Sequence, residues 1–123
     1  MKKMMAAVLA AAMVLSLAAC GGNKEDDQKY VGVSMPTQST QRWNQDGANM
    51  KTMLEEAGYK VDLQYAEDVV ETQVSQIENM ITKGVDVLVV APVEASSLSD
   101  VIDKAAKAEI PVISYDRLIM NTE

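Results

Sequence analysis

The sequence predicts an α/β fold, a doubly wound parallel sheet of four strands in the order 2-1-3-4. Short apolar runs bounded by turn residues recur four times, and the segments between them carry apolar residues at helical spacing. Alternation of that kind builds a parallel sheet with helical crossovers. Right-handed crossovers in the usual order place the first strand inside the sheet, between the second and third.

Each element has its own signal. Tyr30 to Met35 is a short apolar strand that empties at Pro36 into a polar loop. Trp43, Gly47, Met50, Leu54 and Ala57 then fall on one face of a first helix, which Gly58 stops. Tyr59 to Tyr65 alternates as a second strand, with Val61, Leu63 and Tyr65 to one side, followed by the loop Ala66-Glu67-Asp68. Val70, Val74, Ile77 and Ile81 form the apolar face of a second helix closed by Lys83 and Gly84. Val85 to Ala91 is β-branched almost throughout, as expected of a strand buried on both faces, and Pro92 ends it. Ser96 or Ser97 is expected to cap a third helix that buries Leu98, Val101, Ile102 and Ala105. A fourth strand, Ile110 to Ser114, delivers Tyr115-Asp116-Arg117 to its carboxyl end.

Four loops therefore open on one edge: Ser34 to Arg42, Ala66 to Asp68, Ala91 to Glu94, and Tyr115 to Arg117. A doubly wound sheet holds its ligand at that edge, near the switch point between strands one and three. The first loop carries no glycine-rich phosphate cradle. What the edge offers is carboxylate, guanidinium, amide and a flat indole, a set suited to a neutral polyhydroxylated molecule. Taken singly, Trp43 reads as core, Arg42 as a solvated helix residue, and Asp116 as an N-cap or half of a surface pair with Arg117. Their convergence on one edge favours binding.

Composition excludes much else. At 123 residues with 48% hydrophobic content the chain suffices for one domain. Eighteen acidic residues against 11 basic ones, with no basic run, argue against nucleic acid as a partner. The chain has no histidine and one cysteine, which rules out a His/Cys zinc site, a Ser-His-Asp triad and an internal disulfide. No metal and no cofactor are expected, and no general base or cofactor loop supports an enzyme.

The start of the chain is laid out for export. Lys2 and Lys3 precede an apolar stretch from Met4 to Leu17 with a small-residue exit. Leu17-Ala18-Ala19-Cys20 resembles the lipobox of bacterial lipoproteins, which implies cleavage before Cys20 and lipid attachment to its sulfur. Residues 1–19 then form a signal peptide, residues 20–29 a polar, flexible tether, and residues 30–123 the folded lobe. Loss of the two leader lysines makes the −7 balance more negative, so the lipid rather than charge would hold the protein to its membrane.

Five segments carry a wider resemblance: Val31-Gly32-Val33-Ser34-Met35, Gln41-Arg42-Trp43, the run from Gln73 to Ile81, Gly84-Val85-Asp86-Val87-Leu88-Val89-Val90, and Ile113-Ser114-Tyr115-Asp116-Arg117-Leu118-Ile119. Over Tyr30 to Asn121 the chain resembles the first lobe of bacterial periplasmic sugar-binding proteins of the ribose and xylose type, most closely the xylose- and multiple-sugar-binding members. The resemblance implies part of a type I periplasmic-binding-protein fold. It implies that Asp116 and Arg117 hydrogen-bond sugar hydroxyls while Trp43, with Arg42 beside it, stacks on the ring. The run on the second helix is read as framework. Such a protein captures a monosaccharide, a pentose or related aldose such as xylose, and passes it to an ABC transporter permease. It would work as a monomer in the cell envelope, lipid-anchored outside the cytoplasmic membrane or in the periplasm. The other roles open to such a lobe are sugar sensing for a chemoreceptor or sensor kinase, and the effector domain of a repressor. The last needs a helix-turn-helix where the export signal stands. The second lobe of the family is absent from these residues, so the sequence is read as an N-terminal fragment with half of the ligand contacts.

Overall fold

The computed structural model describes residues 27–122. The leader, the lipobox with Cys20 and most of the tether lie outside the described residues. The elements run β1 (Tyr30–Met35), α1 (Gln41–Glu56), β2 (Lys60–Tyr65), α2 (Val70–Lys83), β3 (Val87–Val90), α3 (Ser99–Lys107) and β4 (Val112–Ser114). All strand pairs are parallel and the order is β2-β1-β3-β4, as the alternation predicts.

The sheet is covered on both faces. On one side Val31, Val33, Met35 and Val89 meet Trp43 of α1, with Val61, Leu63 and Tyr65 of β2 packed against them. On the other, Leu88 and Val90 meet Ile77 and Met80 of α2 and Val101, Ile102 and Ala105 of α3. Alternate residues of each strand therefore serve different helices, which is why β3 reads as a continuous apolar run. Among the described residues α1 alone lies on its side, over β1 and β2, and Ile113 of β4 on that side is 53% exposed.

Several boundaries differ from the sequence reading. β3 begins at Val87 rather than Val85, because the Val85 N–H is bonded to Met80 O in the turn closing α2. β4 begins at Val112 rather than Ile110, because the Ile110 N–H is bonded to Ala105 O at the end of α3. The cap expected from Ser96 or Ser97 does not form. α3 starts at Ser99 with Leu98 at the capping position, and Ser97 Oγ donates to Glu94 instead, at 2.7 Å. The buried stripe of α2 is Gln73, Ile77 and Met80, while Val70, Val74 and Ile81 are half-buried. The helix is turned so that Met80 fills the space over Gly32, where a Cβ would stand 2.8 Å from its sulfur. On α1, Trp43 and Gly47 are buried, Met50 and Leu54 are half-buried, and Ala57 is exposed. The glycine stops hold: Gly58 (φ 94°) and Gly84 (φ 79°) take the left-handed conformation that lets the next amides turn back onto the last helical carbonyls.

Two interactions tie β2 to its helices. Lys83 at the end of α2 reaches Asp62 at 2.9 Å, and Gln64 donates to the same carboxylate at 2.8 Å. Burial would raise the Asp62 pKa, but the bonds from Gln64 and Lys83 outweigh it and hold the carboxyl below its usual range. A lowered folded pKa means stability that is present above the unfolded value of about 4 and is lost as pH falls through the folded value. The gap in unfolding free energy between wild type and Asp62→Asn should therefore be largest near neutrality. It should shrink as urea unfolding is repeated from about pH 7 to about pH 3.

On α1, a Cβ at Gly47 would lie 2.5 Å from Tyr65 Oη and 3.1 Å from Cζ, and that hydroxyl donates to Asn44 O at 3.1 Å. Alanine gains up to about 1 kcal/mol of helix propensity, whereas overpacking a tight contact costs about 1–3 kcal/mol. Gly47→Ala should thus lower stability by about 1 kcal/mol. Adding Tyr65→Phe, which removes the hydroxyl, should recover part of the loss in urea titrations.

Candidate ligand-binding site

The carboxyl ends of β1 and β4 bring together two segments far apart in sequence. After Met35 the chain passes through buried Pro36 and Thr37 and enters α1, whose first turn carries Arg42 and Trp43. After Ser114 it makes a tight turn at Asp116. The Arg117 N–H bonds back to Tyr115 O at 2.7 Å, and Asp116 has φ 63°. Left-handed backbone at a non-glycine residue costs energy, but aspartate tolerates it better than most. The turn sets the Asp116 carboxylate against the Arg42 guanidinium, across 74 residues of chain.

A ring of polar contacts follows from that pair. Arg42 Nε also lies 3.6 Å from Asp46 one helical turn on. Tyr115 Oη donates to Asp46 Oδ2 at 3.1 Å. Arg117 Nη1 donates to the carbonyls of Pro92 and Val93, at 3.3 Å each. The two guanidinium carbons lie over the Trp43 ring, that of Arg42 at 4.8 Å from its centroid and that of Arg117 at 5.3 Å. Cations over an indole face are attracted by its quadrupole. The hydrogen bond to Asp116 raises the Arg42 pKa, and the bond to Asp46, helped by burial, raises that of Tyr115.

All four residues singled out at this edge therefore meet. Asp116 is neither an N-cap nor the partner of Arg117, since it pairs with Arg42. Trp43, 6% exposed, belongs to the core under α1 and also borders the polar cluster. The loops beside it are knitted together as well. Glu67, at φ 52°, accepts from Thr37 Oγ1 and the Gln38 N–H at 3.4 Å each, and the Asp68 N–H reaches Pro36 O at 2.8 Å.

Sequence reasoning passed over Asp46, Tyr115 and Gln73 as site-forming residues. Gln73 had a usable signal: a glutamine four residues before Ile77 and seven before Met80 lies on the buried stripe, where a polar side chain needs partners. Asp46 gave none, because one acid on a polar helix face looks like solvated charge. A groove of about 440 Å³ beside the cluster is lined by Asp46, Asn49, Met50, Met53, Leu54 and Tyr115. Among the described residues no group of His, Cys, Asp and Glu is arranged to hold a metal ion. The edge supplies hydrogen-bond donors in planar forks, carboxylate acceptors and an indole, which is recognition chemistry.

The fold is an α/β lobe, a four-stranded parallel sheet with a polar cluster at its carboxyl edge. Residues 31–123 match the periplasmic binding protein domain, and the chain belongs to that family. It is 51% identical over 96 residues to the multiple sugar-binding periplasmic receptor ChvE of Rhizobium radiobacter, covering 78% of this chain and 27% of that protein. It is 40% identical over 93 residues to the D-xylose-binding periplasmic protein of Escherichia coli, covering 76% and 28%. An ABC transporter solute-binding protein from Clostridium phytofermentans, solved with bound β-D-glucose, superposes with a TM-score of 0.76 at 60% identity over 77% of this chain and 29% of that one. The chain thus spans little more than a quarter of the length of these relatives.

The ring makes one expectation plain. Asp46→Ala removes the acceptor of the Tyr115 hydroxyl, so the Tyr115 titration should move down toward the ordinary tyrosine value of about 10. Ultraviolet titration of Asp46→Ala against wild type, with Tyr115→Phe to identify its contribution among the four tyrosines, reads the shift.

Proposed function

We propose that this lobe belongs to the solute-binding component of a sugar ABC transporter. It captures a monosaccharide outside the cytoplasmic membrane and presents it to a membrane permease. The observation that carries this reading is the meeting of Arg42, Trp43, Asp116 and Arg117 at the carboxyl edge. Asp116 accepts from sugar hydroxyls, Arg117 and Arg42 donate to them, and the edge of Trp43 supplies an apolar surface for the C–H face of a ring. The bound sugars and names of the relatives above support an aldose. Xylose is the pentose of choice, and glucose stands beside it because of the 60%-identical Clostridium protein.

One wall buries too little of a ligand to hold it, so capture takes a second lobe and hinge closure. The protein is a monomer and a binder rather than an enzyme, without cofactor or metal. The leader is residues 1–19, and the lipid on Cys20 keeps the mature protein on the outer side of the cytoplasmic membrane or in the periplasm. A second role, handing the closed form to a chemoreceptor or sensor kinase, draws support from the word receptor in the name of the 51%-identical relative.

A thermal-shift screen of aldoses on the full-length protein tests the reading. A sugar at about a hundred times its dissociation constant adds roughly 2.7 kcal/mol of stability. D-xylose or D-glucose should raise the midpoint, and Trp43→Ala and Asp116→Asn should each abolish the rise. Asparagine is chosen at position 116 because it tolerates the left-handed turn while removing the charge and turning one acceptor oxygen into a donor. A flat response to every aldose would overturn the proposal.

A further inference from the structure

Gln73 is fully buried on α2, and both N–H groups and the carbonyl oxygen of its amide are hydrogen-bonded. Nε2 donates to Ser34 Oγ and to Ala91 O, each at 3.0 Å, and Oε1 accepts the Val93 N–H at 2.8 Å. Two donors and one acceptor fix the direction of the amide, since a flipped group would set N–H against the Val93 N–H. From one side chain the bonds reach the end of β1 and both sides of the Pro92 turn after β3.

That turn is where Arg117 is held. Pro92 and Val93 present their carbonyls to Arg117 Nη1, and the same guanidinium lies over Trp43. The path runs from a helix on one face of the sheet, past the carboxyl end of β3, to an arginine that borders a ring packed on the other face. A methionine of similar length would fill the same space but leave the Val93 N–H and Ala91 carbonyl without partners, and buried backbone groups rarely stay unpaired.

We infer that Gln73 is a positioning residue of the sugar site: by holding the Pro92-Val93 turn it sets where the Arg117 guanidinium stands over Trp43. The affinity arm of its test rests on the sugar-binding reading; a second arm does not.

The experiment is a double-mutant cycle of Gln73→Met and Arg117→Ala in the full-length protein. Its readouts are titration calorimetry with D-glucose and D-xylose, the emission of Trp43 without sugar, and the melting midpoint. Gln73→Met should weaken sugar binding about tenfold, and the double variant should bind no more weakly than Arg117→Ala alone. Trp43 is the one tryptophan of these 123 residues and lies under the guanidinium, so the difference in emission between each variant and its Trp43→Phe counterpart reads the Trp43 environment. It should shift on Gln73→Met in the wild-type background and show no further shift when that change is added to Arg117→Ala. Gln73→Leu, which likewise lacks the bonds to Ala91 and Val93, stands in if the methionine variant does not fold.

The inference is overturned if Gln73→Met weakens binding by the same factor in both backgrounds, or if it lowers only the melting midpoint and leaves affinity and emission unchanged. If wild type binds neither sugar, the transport reading fails on its own terms. The emission cycle then decides whether Gln73 sets Arg117, as it does if Arg117→Ala alone abolishes binding.

Discussion

The pairing of β1 on both sides, with β2 from Tyr30 to Met35 and with β3 from Val31 to Ser34, is the constraint from which the rest of the molecule follows. A strand in that position must be apolar toward both faces, and Val31, Gly32, Val33, Ser34 and Met35 are all buried. Because all pairs are parallel, every carboxyl end comes out on one edge, and the loops there have nowhere else to gather. The crossover helices then divide between the faces, with α1 on one side and α2 and α3 on the other.

The polar edge depends on that scaffold in a specific way. Its charged groups sit on loop ends and a first helical turn, places where backbone is least restrained, yet each is held by a second contact. Arg42 is shared between Asp116 and Asp46, Tyr115 braces Asp46, and Arg117 rests on two carbonyls of a turn that is itself bonded to α2. Groups held this way have little freedom left to lose, so any further contact they make costs little ordering entropy. The surrounding charges are largely solvated, so salt weakens the outer pairs more than the hydrogen bonds beneath them.

The order of elements and the sheet topology were legible because helix and strand periods alternate cleanly, and glycines mark two helix ends. Val61, Leu63 and Tyr65 face α1 as their alternation implies. The ends of β3 and β4 were not legible, since Val85 and Ile110 have strand-like side chains but give their amides to the preceding helices. The α3 start was misread for a related reason: serines favour caps, yet Ser97 found the Glu94 carboxylate first. At the site, the residues brought together were the ones the sequence suggested, but not the partnerships. Which carboxylate meets which guanidinium depends on the left-handed turn at Asp116, and nothing local in the sequence announces that conformation.

The sheet also dictates an order of assembly. The Tyr30 N–H of β1 donates to Asp86 across 56 residues, and the Arg42 guanidinium of α1 meets the Asp116 carboxylate across 74. Neither contact can form until the residues between its partners have joined the chain. Such long-range closures make folding slow compared with helical bundles of similar size. The central strand β1 has no β3 to pair with until Val87 to Val90 have joined the chain, so delayed folding is a property of the topology itself.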